Sequence, residues 1–307
     1  MSFTKILGIE LETDTIHSSG GVYSSAADLR KLGLSILHSE LLDPTDTRAW
    51  LKPHAHTSSL TFSFGAPWEI YRLDLPVSPG SNITRVSDLY TKAGGNAGYG
   101  SIFGLSPDHG MGFSINVGGD GALSDRWRLR DLTVETIMPT AEYAAAENAR
   151  ANFVGVFAAN SSMPGTNMTL SVDDDKPGIG IESLYLNNID SLNLLAGDLS
   201  FLPTKLSVRL YPTGLVSSGP LAGNSTGQVE RYSFRSVETE LPTVPPVAAL
   251  GGTGLLNNRC GGTFLTADSP TVPETGYGAD DFVLEVVGGR LERLQSIAAQ
   301  IWFSRVE

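Results

Sequence analysis

The sequence predicts an α+β fold in two parts. Residues 1–139 are expected to form an antiparallel sheet with flanking helices, 140–151 a helical linker, and 152–307 an antiparallel β-rich domain. Three observations carry this. Residues 89–117 read as three consecutive strands, and stretches with apolar residues at helical spacing stand before and after them. Beyond residue 150, short β-branched and aromatic runs are separated by Gly, Asn, Asp and Pro clusters.

Ser25 is a good N-cap, and Asp28 stands three residues on, in the place of a capping-box acid. Leu29, Leu32, Ile36 and Leu37 then form one apolar stripe, so a helix is expected over Ala26–Leu37. Asp43-Pro44 opens a second short helix with proline at its first position, and Lys52-Pro53 ends it. Thr61 to Asp74 reads as extended chain around Trp68-Glu69-Ile70-Tyr71. Strands are expected at Leu89–Ala93 and Tyr99–Leu105. After the turn Ser106–Gly110, Met111, Phe113, Ile115 and Val117 alternate onto one face of a third.

An amphipathic helix from about Leu123 to Ile137 offers Leu123, Trp127, Val134 and Ile137 for packing, and Pro139 is expected to interrupt it. The Ala- and Glu-rich residues 140–151 make the linker. In the second part, strands are expected at Phe153–Phe157, Met168–Val172, Leu206–Leu210, Val229–Phe234, Phe282–Val287 and Ile301–Val306, with Glu240–Gly254 irregular.

With 307 residues and 41% apolar side chains the chain can bury a real core in each part. A net charge of −12 argues against a nucleic-acid partner. No apolar run reaches membrane-span length, and the first 20 residues lack the apolar core of a signal peptide, so the sequence as it stands is expected to be cytoplasmic and to have no membrane partner. Sequons at Asn82, Asn160, Asn167 and Asn224 point the other way, to glycosylation in a secretory route. Cys260 is the only cysteine, which excludes an internal disulfide; it is expected to act as a small buried hydrophobe.

The chemistry concentrates in Leu89–Gly100, where Lys92-Ala93-Gly94-Gly95 sits at the end of one expected strand and Tyr99 opens the next. Other candidates are weaker. His54 and His56 have no third ligand at metal spacing and read as a loop pair. Asp173-Asp174-Asp175 lacks the rest of a calcium loop and reads as a solvated hairpin tip. Gly94–Gly98 is glycine-rich, but no helix follows to bind a phosphate. No metal and no cofactor are expected.

In order along the chain stand Gly20-Gly21 before Ser24-Ser25-Ala26-Ala27-Asp28-Leu29, then Leu41-Leu42-Asp43-Pro44, Trp50-Leu51-Lys52-Pro53, His56-Thr57-Ser58-Ser59, Pro67-Trp68-Glu69-Ile70 and Tyr90-Thr91-Lys92. This order resembles the C-terminal part of a β-lactamase-like, penicillin-binding-protein-like serine hydrolase domain. The closer likeness is to a fungal subgroup that carries a β-rich C-terminal domain. The resemblance implies acyl transfer, or ester or amide hydrolysis, through an acyl-enzyme. A serine attacks the carbonyl, a lysine one helical turn later takes its proton, a second motif supplies a Tyr or Ser, and a Lys-X-Gly strand supplies charge and an oxyanion donor.

Carried onto this chain, the resemblance makes Lys92 the electrostatic residue and the Gly95 N–H the oxyanion donor, with Gly94 and Tyr99 as substrate-binding residues. Ala93 stands where the family usually has Thr or Ser, which disfavours β-lactam or D-alanyl substrates and suits an esterase or acyltransferase. The nucleophile is not evident. The one Ser-X-X-Lys, Ser2-Phe3-Thr4-Lys5, is at the level of chance, and no Tyr-X-Asn precedes Lys92. The chain is therefore expected to be a truncated homologue, inactive alone, whose partners are a small ester or amide and another chain that completes its sheet. The alternative is a non-catalytic small-molecule binding or tailoring protein of a fungal secondary-metabolite pathway. Many family members are secreted, which the resemblance sets against the cytoplasmic expectation.

Overall fold

The computed structural model describes residues 23–96, 98–192, 206–220, 228–240 and 275–306. Ser2, Lys5, Gly20, Gly21, Asn224, Cys260 and the segment 241–254 lie outside these. The fold is α+β, and the chain divides into two compact units, Met1–Ala145 and Ala146–Glu307.

In the first unit, helix α1 (Ala26–Leu37) starts at the expected cap. Ser25 Oγ accepts from the Asp28 N–H at 3.1 Å and donates to the Asp28 carboxylate at 2.8 Å. Helix α2 (Pro44–Trp50) is capped by Asp43, which accepts from the Thr45 N–H at 2.8 Å. Six antiparallel strands follow in sequence order: β1 (Ala55–His56), β2 (Phe62–Phe64), β3 (Glu69–Pro76), β4 (Thr84–Asn96), β5 (Tyr99–Ser106) and β6 (Met111–Gly118).

Alternation sends the two sides of β4 to different cores. Leu89 packs with Leu75 and with Met138, Val134 and Ile137 of the long helix α3 (Ala122–Asn152). Tyr90 packs with Trp68, Ile36, Leu105 and Phe103 under α1.

The expected interruption at Pro139 does not occur: α3 runs through it, and 140–151 continues the same helix. Pro139 removes one N–H bond, to the carbonyl of Glu135, an exposed residue of the helix. Buried anchors on both sides hold the axis. Met138 is in the core, and Glu142 binds Arg85 and His109.

The second unit contains β7 (Gly155–Ala158), β8 (Asn167–Ser171), β9 (Ile179–Leu186), β10 (Ile189–Asp190), β11 (Leu206–Pro220), β12 (Gln228–Glu240), β13 (Asp281–Val287), β14 (Arg290–Ser296) and β15 (Ile301–Arg305). Of these nine strands β10 pairs only with β9; the other eight close on themselves because β8 also pairs with β9. The result is an antiparallel barrel, which leaves no open edge along its closing seam. Each of the eight strands sends a residue into one core, among them Phe157, Met168, Ile181, Leu210, Phe234, Leu284, Leu294 and Phe303. Arg305 secures one end by donating to the backbone carbonyls of Leu291, Val154 and Asn152 at 2.7, 2.8 and 2.9 Å.

The acidic run Asp173–Asp175 does form the β8–β9 turn, but it is not simply solvated. Buried Arg209 binds Asp173, and Arg150 binds Asp174 at 2.7 Å. Among the described residues no cluster of His, Cys, Asp or Glu is placed to hold a metal, and no helix is long and apolar enough to cross a membrane.

Candidate functional site

The Lys92 segment sits where the sheet frays on one side. Pairing between β3 and β4 runs from Pro76↔Thr84 to Glu69↔Thr91 and stops there. Pairing with β5 continues to Asn96↔Tyr99. Among the described strands, residues 92–95 therefore have β5 on one side and no strand partner on the other. The Ala93 N–H lies on that open edge, because the Glu69 carboxylate accepts from it at 3.3 Å. Backbone directions alternate along a strand, so the N–H of Gly95 points to the same edge.

Lys92 is half-exposed. Its ammonium donates to Glu69 at 2.6 Å and to the Ala93 carbonyl at 2.9 Å, so one carboxylate both neutralises the lysine and caps the edge. The glycines on the segment are there for close approach. A Cβ on Gly94 would lie 2.8 Å from Ser101 Oγ, and one on Gly95 would lie 2.6 Å from the Leu123 side chain and collide with Arg126. Arg126 donates to the Gly94 carbonyl and stacks on Trp127, with its guanidinium 4.7 Å from the ring centre. Arg130 covers the other neighbours, 4.8 Å from the Trp127 ring and 4.9 Å from that of Tyr71, whose hydroxyl it binds.

Beside this edge, under α1, lies a cavity of about 320 Å³. Leu32, Ile36, Trp68 and Phe103 make its apolar wall, and Lys92, Gly94 and Ser101 contribute its polar side. Trp68 is 3% exposed, and its indole N–H is buried with no hydrogen-bond partner. The Tyr90 hydroxyl, on the same side of the sheet, is pushed up to about 12 by burial first and by Asp88 and Asp108 next, so it stays protonated.

Lys92 and Gly94 thus line the cavity, and Gly95 follows on the same strand. Tyr99 lies apart from them, 68% exposed at the start of β5 with its ring over Gly118. His56 is exposed on β1 and contacts Ser63 at 3.1 Å.

The sequence reading noted the Pro67-Trp68-Glu69-Ile70 run but missed its roles. Glu69 is the partner of Lys92, and Trp68 is the unpaired donor. It also missed Ser101, whose parity with Phe103 on β5 was the available signal. A further cluster went unseen. Ser106 Oγ lies 2.7 Å from His109 Nδ1, and His109 Nε2 lies 2.9 Å from Glu142. Arg85 binds both Glu142, at 2.7 Å, and Asp108, at 3.0 Å. The order Ser–His–Glu has the form of a catalytic triad, but Ser106 is 1% exposed and does not line the cavity beside Lys92. It is a buried polar tie. Burial alone would raise the Glu142 carboxyl; the hydrogen bonds from His109 and Arg85 outweigh it and hold the group at about 2.

Residues 145–307 match a family model described as the beta-lactamase-like-like, C-terminal domain, just over half of the chain. The chain belongs to the beta-lactamase-like family. A beta-lactamase-like protein of the fungus Arthroderma benhamiae is 32% identical over 254 residues, which cover 75% of this chain and 41% of the relative. The chain therefore spans about two fifths of that relative's length. A solved octameric penicillin-binding protein homologue from Pyrococcus abyssi is 14% identical, with 69% of this chain and 45% of the other covered and a TM-score of 0.28, too low to establish a common fold. Membership in this beta-lactamase-like family makes a serine-hydrolase ancestry the background for the Lys92 edge.

Proposed function

We propose that the first unit is the Lys-X-Gly half of a serine acyl-transfer site, built for an ester or amide carbonyl. The observation that carries this reading is the edge at 92–95, which has no strand partner on one side among the described residues. It aims the Gly95 N–H outward beside a cavity lined by Lys92, which is what an oxyanion donor needs. Lys92 and Gly95 take the catalytic roles and Gly94 admits the substrate; Tyr99, which does not line the cavity, takes none. Ser101 shares the cavity with Lys92, but the Lys92 ammonium is bonded to Glu69 and the Ala93 carbonyl and not to a serine, so turnover waits on a nucleophile supplied from elsewhere. Another chain that pairs along β6, which has only β5 as a neighbour among the described strands, is one such source.

The second reading is a non-catalytic small-molecule binder. The Lys92–Glu69 ion pair favours it, because a neutralised lysine is a weaker electrophilic aid. Hydrolysis of a p-nitrophenyl ester by the chain, compared with Lys92→Ala and Ser2→Ala, separates the possibilities. The expected result is no turnover that depends on Ser2. Robust activity lost in both variants would mean that the chain is a complete enzyme.

A further inference from the structure

The carbonyl of Gly94 and the N–H of Gly95 belong to one peptide group. A trans peptide is planar, so its N–H points away from its C=O. The carbonyl lies on the β5 side, where Gly94 pairs with Ser101, and the N–H lies on the side where pairing with β3 has stopped. Arg126 holds the carbonyl end. Its guanidinium donates to the Gly94 carbonyl from α3 and stacks on Trp127, 4.7 Å from the ring centre. A slot in the sheet admits it. Gly95 and Gly100 pair across β4 and β5; a Cβ on Gly95 would collide with the guanidinium, and one on Gly100 would lie 3.1 Å from Arg126 Cδ. The Lys92 charge is held by Glu69, whereas among the described residues no carboxylate pairs with Arg126. Its Nε is buried without a partner, which leaves the Gly94 carbonyl as its hydrogen-bond acceptor.

We propose that Arg126 is the positioning residue of the Gly95 N–H. Holding the carbonyl fixes the plane of the peptide, and with it the direction of the N–H on the other side. The charge also draws electron density toward the Gly94 oxygen, which makes the Gly95 N–H a stronger donor. A guanidinium does not lose its proton in a protein, so this hold is the same across the working pH range. A donor fixed in advance needs no reorganisation when negative charge develops in front of it. Arg126 reaches Gly95 from the α3 side of the sheet, and the cavity lies under α1, so it acts through the peptide and not by touching a substrate. The inference rests on the reading of Gly95 as an oxyanion donor.

The test follows backbone amide exchange in the full chain by NMR. Arg126→Met keeps the stem without the charge, and Arg126→Lys restores a charge. Exchange at neutral pH passes through an amide anion, which a nearby cation stabilises. Gly95 is therefore expected to exchange roughly three-fold or more slowly in Arg126→Met and to recover most of its rate in Arg126→Lys. Gly94, whose N–H points to β5, is the control, because an arginine that merely props the strand would on removal speed both glycines together. Should Arg126→Met fail to fold, Arg126→Gln carries the same loss of charge. An unchanged Gly95, or joint acceleration of Gly94 and Gly95 in both variants, would overturn the proposal. The same samples are titrated with butylphosphonate, whose anionic oxygens stand in for the oxyanion. It is expected to move the Gly95 N–H signal and to bind roughly five-fold more weakly to Arg126→Met, with Arg126→Lys close to the unmodified protein. Slower Gly95 exchange in Arg126→Met with no response to butylphosphonate supports Arg126 as the holder of the peptide and counts against the oxyanion reading alone. Butylphosphonate binding equally well to Arg126→Met would keep the oxyanion reading and overturn the role of Arg126.

Discussion

Glu69 and Lys92 meet 2.6 Å apart at the point where β3 stops pairing with β4. The same carboxylate accepts from the Ala93 N–H at 3.3 Å, so it takes the place of the next residue of the missing ladder. Removing it should do two separable things. Because Lys92 is half-exposed, Glu69→Gln is expected to change stability by no more than about 1 kcal/mol in a urea melt. Amide exchange should nevertheless accelerate at Ala93, and in the unmodified protein Gly95 should exchange faster than Gly94, whose N–H points to β5. Equal protection of Gly94 and Gly95 would mean that the edge is closed.

The Glu142 tie makes the first unit acid-sensitive. Its carboxyl lies at about 2 in the fold against an ordinary 4.5, so the unfolded chain binds the proton first as pH falls. The stabilisation is complete above about pH 4.5 and is lost as pH falls toward about 2, amounting to about 3 kcal/mol for a group this buried. Glu142→Gln should lower stability at neutral pH and flatten this acid limb. A limb of unchanged slope in the variant would assign the acid sensitivity to other groups.

Glycine positions near the site should differ sharply in tolerance. A Cβ on Gly100 would lie 2.9 Å from the backbone carbonyl carbon of Ala122, which cannot turn aside, whereas one on Gly94 meets only the Ser101 hydroxyl at 2.8 Å, which can. Gly100→Ala is expected to cost about 1–3 kcal/mol and Gly94→Ala clearly less. Paired chemical melts decide it, and equal costs would contradict the close fit of α3 on β5.

Pro139 stands in a helix that is held by Met138 and Glu142 on either side of it. Pro139→Ala restores a backbone donor and should stabilise the protein by up to about 3 kcal/mol, read as a higher midpoint in urea. Destabilisation would mean that the proline bends α3 into a needed position.

These relationships explain what was legible in the sequence. The Ser25–Asp28 cap, the Pro44 start and the alternation on β4 to β6 are local signals, and local chemistry decided them. Strand β14 was missed because Leu291 and Leu294 are three residues apart, a spacing that does not alternate. The register irregularity at Glu285/Val286 is what lets both face inward. Strand β9 was missed because Gly180 interrupts its apolar pattern; that glycine is needed where Arg209 crosses. Glu69 reaches Lys92 across 23 residues and Glu142 reaches His109 across 33, and pairs at such separation follow from register and packing, not from motif spacing.

The most direct test of the central claim is intact mass after incubation of the chain with an alkyl fluorophosphonate, which labels a serine only where a base activates it and an oxyanion hole receives the product. On the half-site proposal the chain is expected to remain unlabelled. A single stoichiometric adduct, lost in Lys92→Ala, would show that the chain holds a working nucleophile and would contradict the half-site account.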